Sequence, residues 1–102
     1  MGMRLSESEI AWITSLARKH FGEDVQVVLF GSRVDDDQRG GDIDLFVRKL
    51  TGERLTILAK VRFMTDLMFR IGEQKVDVVL DHPEMRNSLF FQTIQEKGVA
   101  LC

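Results

Sequence analysis

The residues best equipped for chemistry are three aspartates and a glycine-serine pair: Gly31-Ser32, then, after a nine-residue spacer, Asp42-Ile43-Asp44, and finally Asp77 inside the apolar run from Lys75 to Leu80. Side chains two apart on an extended strand share a face, so Asp42 and Asp44 point together while Ile43, Leu45 and Val47 point the other way. Asp77 sits among valines. A carboxylate in that setting is costly to desolvate unless it is paired or ligates a cation. If the strands bearing Asp42, Asp44 and Asp77 are neighbours, the three carboxylates converge on one spot and repel one another until a divalent cation joins them. An all-oxygen donor set of this kind suits Mg²⁺, which prefers a few carboxylates together with substrate phosphates. Two ions roughly 3.5–4 Å apart are the usual arrangement for in-line displacement at phosphorus. The turn at Gly31 and Ser32 supplies the complementary half, because backbone N–H groups at the end of a strand can hold phosphate oxygens. Carboxylates, cation and triphosphate together point to nucleotidyl transfer.

The elements that must position these groups can be read from the pattern. Ser6 and Glu9 have the spacing of a capping box, Leu5 and Ile10 that of a hydrophobic staple, and Ile10, Ile13, Ala17 and Phe21 recur at helical period with Leu16 beside them, up to Gly22. Val25 to Phe30 is a short apolar run of strand formers and reads as a buried central strand. Ser32 to Gly41 is polar and reads as a loop, with the Asp35, Asp36 and Asp37 run on its solvent side. Asp42 to Val47 reads as the second strand. From Glu53, the positions Ile57, Leu58, Val61, Met64, Met68 and Ile71 trace an apolar helical stripe, taken as the face turned to the core. Leu55, Phe63, Leu67 and Phe69 lie off that stripe, so the helix is either sandwiched or meets a partner. Val76 to Leu80 reads as the third strand, and a last helix runs from near Pro83 through Leu89, Phe90, Thr93 and Ile94 to Gly98, with Val99 to Leu101 as a short strand or docked tail. The order helix, strand, strand, helix, strand, helix implies an α/β fold, a small mixed β-sheet with helices packed on it, in a single domain over 1–102.

Composition narrows the partners. Fourteen basic residues against 16 acidic ones, a formal charge of -2, argue against a broad nucleic-acid surface. The one cysteine, Cys102, excludes an intrachain disulfide and a cysteine-based metal site. His20 and His82 lack zinc spacing and read as structural or surface residues. No apolar stretch is long enough to span a membrane and Met1 to Leu5 does not have the plan of a secretory signal, so a cytoplasmic protein is expected. Arg39 and Phe46 stand where a calcium loop needs ligands, and neither a P-loop nor a dinucleotide-binding glycine pattern occurs.

Three segments, VQVVLFGSR from Val25 to Arg33, GDIDLFV from Gly41 to Val47 and KVDVVL from Lys75 to Leu80, together resemble the polymerase beta-like nucleotidyltransferase superfamily, and in particular its minimal nucleotidyltransferases, small antitoxin domains associated with HEPN proteins. The resemblance runs over nearly the whole chain. It implies the polymerase beta-like fold, with Gly31 and Ser32 on nucleotide phosphates, Arg33 assisting there, Asp42 and Asp44 on the metal ions, and Asp77 completing the site near the attacking hydroxyl. It implies ATP as the expected donor, Mg²⁺ as the cofactor and a hydroxyl of a HEPN-family helical protein as the acceptor. The alternative is a non-catalytic subunit that masks or scaffolds a helical partner through the apolar extras of the long helix and Phe90-Phe91.

Overall fold

The computed structural model describes residues 5–31, 43–51, 55–72 and 74–102. Helix α1, Glu7–Phe21, is followed by the strands β1, Val25–Phe30, and β2, Ile43–Lys49, then by helix α2, Ile57–Ile71, strand β3, Val76–Leu80, a 3₁₀ turn at Pro83–Asn87, helix α3, Leu89–Lys97, and strand β4, Val99–Ala100. The capping box forms in full at the start of α1: the Glu9 backbone N–H donates to Ser6 Oγ, and the Ser6 N–H donates to Glu9 Oε1. The described residues contain no helix long and apolar enough to cross a membrane.

The strands form one mixed sheet in the order β3-β2-β1-β4, with β1 antiparallel to β2 and β4, and β2 parallel to β3. The parallel pair needs a crossover, and α2 provides it. One face of the sheet turns Val25, Val27, Leu29, Ile43, Leu45, Val47 and Val78 against Ile13, Leu16, Ala17 and Phe21 of α1 and Phe63 and Leu67 of α2. Phe21 and Phe63 join the two helices across this core, their ring centroids 5.3 Å apart. The opposite face buries Phe46 with Met85, Phe91 and Ile94, and Val28, Phe30 and Val79 pack beside them. The sheet is therefore the middle of three layers, with α1 and α2 on one side and α3 on the other.

Two elements differ from the sequence reading. The expected core stripe of α2 is in fact largely solvent-facing: Ile57, Leu58, Val61 and Met68 are exposed, and the buried pair is Phe63 and Leu67. The helix is apolar on two faces, and the one that bears Phe63 and Leu67 packs on the sheet. The last helix is also shorter than expected, because Ser88 adopts an extended conformation and its hydroxyl accepts from the Phe91 N–H, so that it caps α3 and separates it from the Pro83–Asn87 turn. This places Phe91 in the core, 5% exposed, and not on an interface.

His20 at the end of α1 is structural. Its Nε2 lies 3.0 Å from Asp66 Oδ2 on α2, and Lys19 Nζ lies 3.3 Å from the same oxygen. The hydrogen bond from His20, then the one from Lys19, holds the Asp66 carboxyl below its ordinary range against an opposing contribution from burial. Asp24 is lowered likewise, by the Thr51 hydroxyl and then by Lys49. For a carboxyl depressed in the native state, the unfolded chain binds more protons on acidification. Stability from both groups is thus complete above the usual carboxylate pKa of ~3.9 and is lost as pH falls through the lowered native values. The thermal midpoint is expected to drop on acidification below about pH 4, and Asp66→Asn is expected to flatten that drop while lowering the midpoint at neutral pH. A differential scanning fluorimetry series across pH reads both effects.

Candidate active site

Strand register decides which side chains meet. Phe30 of β1, Asp44 of β2 and Asp77 of β3 are consecutive partners across the sheet, and all three lie on the face that carries α3. The next rung on this face is Val28, Phe46 and Val79, and the one after it contains Gln26 and Arg48. The face is thus apolar in the middle, where α3 covers it, and polar at both ends. At the far end Arg48 Nε donates to Gln26 Oε1, beside a cleft of about 300 Å³ under α3. Phe46, 1% exposed, and Phe91 fill the space between that cleft and the aspartates, with ring centroids 6.0 Å apart, so the two polar ends are separate.

Asp44 and Asp77 are directly opposite on neighbouring parallel strands, which sets their backbones ~4.8 Å apart and their side chains on the same face. Both residues are half-buried. Like charges at facing positions are unfavourable in a sheet, and an all-oxygen pair opening to solvent at the edge of the apolar rung is a donor set that a hard cation satisfies. Among the described residues no group of three metal-ligating side chains stands together. The third expected ligand, Asp42, lies outside the described residues, as do Ser32 and Arg33.

Gly31 follows directly on the Phe30 rung and bends the chain away with φ +81. Its environment shows a requirement that the sequence reading did not contain: a Cβ placed on Gly31 would collide with the carboxylate of Asp44. Only glycine both accepts the left-handed backbone and leaves room for the carboxylate. The strand end that was expected to hold phosphate is therefore in contact with the expected metal ligand. Phe90 of α3 packs edge-on against Phe30, with centroids 5.4 Å apart, and buttresses the same rung from the other side.

Beyond Asp77 the sheet ends, because β3 is an outer strand. A second cleft of about 310 Å³ opens there between α2 and the start of β3, lined by Met64, Met68, Gln74, Lys75, Val76 and Asp77. The sequence pattern assigns the methionine-bearing face of α2 to the core and does not anticipate this cleft.

Residues 13–102 match the family described as "Polymerase beta, Nucleotidyltransferase". No curated protein gives a match. Among solved structures, that of a tri-AMPylated Shewanella oneidensis HEPN toxin in complex with MNT antitoxin is similar over 92% of this chain and 69% of the other, with a TM-score of 0.66 and 21% identity. The toxin-antitoxin MntA-HepT is similar over 95% of this chain and 72% of the other, at a TM-score of 0.65 and 20% identity. A toxin-antitoxin structure with AMP-PNP gives 91% and 72% coverage, a TM-score of 0.68 and 24% identity. At these identities the likeness establishes a shared fold.

Proposed function

The chain belongs to the polymerase beta nucleotidyltransferase family, and on that premise we propose that it is a Mg²⁺-dependent nucleotidyltransferase that moves AMP from ATP to a hydroxyl of a HEPN-family toxin and so acts as the antitoxin. The observation that carries the proposal is the carboxylate pair: Asp44 and Asp77 share one rung of the sheet, and the carboxylate of Asp44 lies against Gly31 at the neighbouring strand end. The donor and the acceptor are argued from the solved complexes of the same fold, one of which holds AMP-PNP and another an AMPylated HEPN toxin.

In the proposed mechanism Asp42, Asp44 and Asp77 would hold the cations, and Gly31, Ser32 and Arg33 would hold the triphosphate, the first two through backbone N–H groups. Bound Mg²⁺ would offset charge on the phosphoryl oxygens and on the departing pyrophosphate. Asp77 orients the acceptor hydroxyl and receives its proton as the oxygen bonds to the α-phosphorus and the bond to pyrophosphate breaks. The buried Phe46 rung closes the inner side of the site and limits water there, which strengthens each charge interaction. The chain supplies one wall of such a site, and the acceptor protein supplies the other.

Labelled ATP, Mg²⁺ and a HEPN-family protein as acceptor test the proposal. Radiolabel from the α-phosphate is expected on the partner and not on the chain itself, and Asp44→Asn is expected to remove it. A partner that binds the chain tightly but stays unlabelled would replace this reading with the masking role.

A further inference from the structure

Asp77, the carboxylate assigned to the acceptor hydroxyl, lies on the outermost strand of the sheet, since β3 ends the order β3-β2-β1-β4. Two hydrogen bonds fix the phase of its backbone: the Ile43 N–H donates to the Lys75 carbonyl over 3.0 Å, and the Asp81 N–H donates to the Val47 carbonyl over 2.9 Å. Successive residues of a strand turn their backbone groups to opposite sides. Lys75, Asp77, Val79 and Asp81 therefore address β2, and Val76, Val78 and Leu80 present their N–H and C=O groups outward. Among the described residues no hydrogen bond reaches those outward groups. A row of this kind is a template for a further strand. The space beside its first residues is open, because the cleft of about 310 Å³ runs along Val76 and Asp77.

We propose that an extended segment of the acceptor protein adds to the β3 edge as a fifth strand, with its hydroxyl-bearing residue in register with Asp77. The inference rests on the proposed transfer reaction and adds to it the way the acceptor is held. The new strand extends the rung of Phe30, Asp44 and Asp77 by one member, whose side chain falls on the same face. Because Asp77 turns its backbone groups to β2, it forms a non-hydrogen-bonded pair with an antiparallel newcomer, the type in which Cα atoms are ~4.5 Å apart and side chains approach most closely. Asp77 also selects what may face it. An apolar residue there would desolvate the carboxylate without a partner, and an acidic one would repel it. A hydroxyl donates to it. On transfer that oxygen bonds to the α-phosphorus of ATP, its proton passes to Asp77 and the bond to pyrophosphate breaks. Main-chain bonds to Val76, Val78 and Leu80 thus supply affinity, and the rung at Asp77 supplies specificity.

Proline on an edge strand removes an outward N–H and leaves the inward ladder intact. Val76 and Leu80 are both half-buried, so the double variant Val76→Pro with Leu80→Pro is compared with Val76→Ala and Leu80→Ala, which also truncates both side chains but keeps the donors. Thermal melting verifies that each folds. With a HEPN-family protein as acceptor, the proline variant is expected to show a KM for the acceptor at least tenfold above that of the alanine variant, with equal affinity for AMP-PNP. Hydrogen–deuterium exchange on the unaltered chain is a second measurement that no folding defect obscures. The Val76, Val78 and Leu80 amides are expected to exchange at least tenfold more slowly when the acceptor is added. Equal KM values in the two variants would overturn the inference, as would protection of these amides by raising the concentration of the chain alone, the sign of pairing between two copies. Label transfer with the three amides unprotected would overturn the inference and leave the proposed activity standing. Protected amides without label transfer would uphold the added strand and overturn the proposed activity.

Discussion

Replacing Asp77 with asparagine is expected to lower nucleotidyl transfer by about 10²–10³-fold, the range found when one preorganised charge-stabilising group is deleted, and at the same time to stabilise the isolated chain. The two effects have one cause. Asp44 and Asp77 are paired in register on adjacent strands, and facing like charges cost a sheet something in the range of 0.2–1 kcal/mol relative to a neutral pair. Asparagine keeps the shape and removes the repulsion, so the metal-free variant is expected to melt slightly higher than the parent. Addition of Mg²⁺ should reverse the order. A ligand that binds the native state alone stabilises it by about 2.7 kcal/mol at a hundredfold excess over Kd, and the parent chain is expected to gain thermal stability on titration with Mg²⁺ and AMP-PNP where Asp77→Asn gains little. Melting curves with EDTA and with saturating Mg²⁺ and AMP-PNP, beside the rate of partner labelling, measure all of this. A parent chain whose midpoint ignores Mg²⁺ and nucleotide would remove the metal from the proposal.

The second large effect is expected from Gly31→Ala. The backbone at Gly31 has φ +81, where an L-residue costs about 1–2 kcal/mol, and the new methyl would also meet the Asp44 carboxylate. Something must yield, and the strand pairing of Phe30 with Asp44 leaves the carboxylate as the mobile group. Activity is therefore expected to fall much further than stability, by two orders of magnitude or about 2.7 kcal/mol in transition-state terms. Gly72→Ala is the control, because Gly72 has φ +87 and open space where its Cβ would go. It carries the backbone strain without the collision, and it is expected to lower the melting temperature while leaving the labelling rate intact. Equal activity in the two variants would mean that the contact between Gly31 and Asp44 does not shape the site.

Much of this architecture was legible before any coordinates. Ser6 and Glu9 announced α1 because a capping box is a local device that depends on residues three apart. Val25–Phe30 and Val76–Leu80 were bounded correctly because a short run of branched apolar residues between glycines and polar turns has few other uses. The second strand proved to extend to Lys49, two residues beyond the expected Val47, since Arg48 and Lys49 pair with Gln26 and Val25 across the ladder and their charge does not oppose an extended backbone. Ser88 was missed because its role is visible only once the chain has turned extended at that point and its hydroxyl meets the Phe91 N–H.

The amino-acid order by itself determined the set of elements and pointed to the chemistry proposed for the site, because the period of a strand and the ligand preference of a carboxylate are local properties. Tertiary structure alone decided the rest. That β2 and β3 are parallel neighbours in a register that sets Asp44 against Asp77, that Gly31 must be glycine to clear a side chain 13 residues on, and that α2 buries Phe63 and Leu67 while leaving Ile57, Leu58, Val61 and Met68 in solvent all depend on which surfaces meet. A helix with two apolar faces does not record which one the sheet will cover. That choice is made when the layers pack.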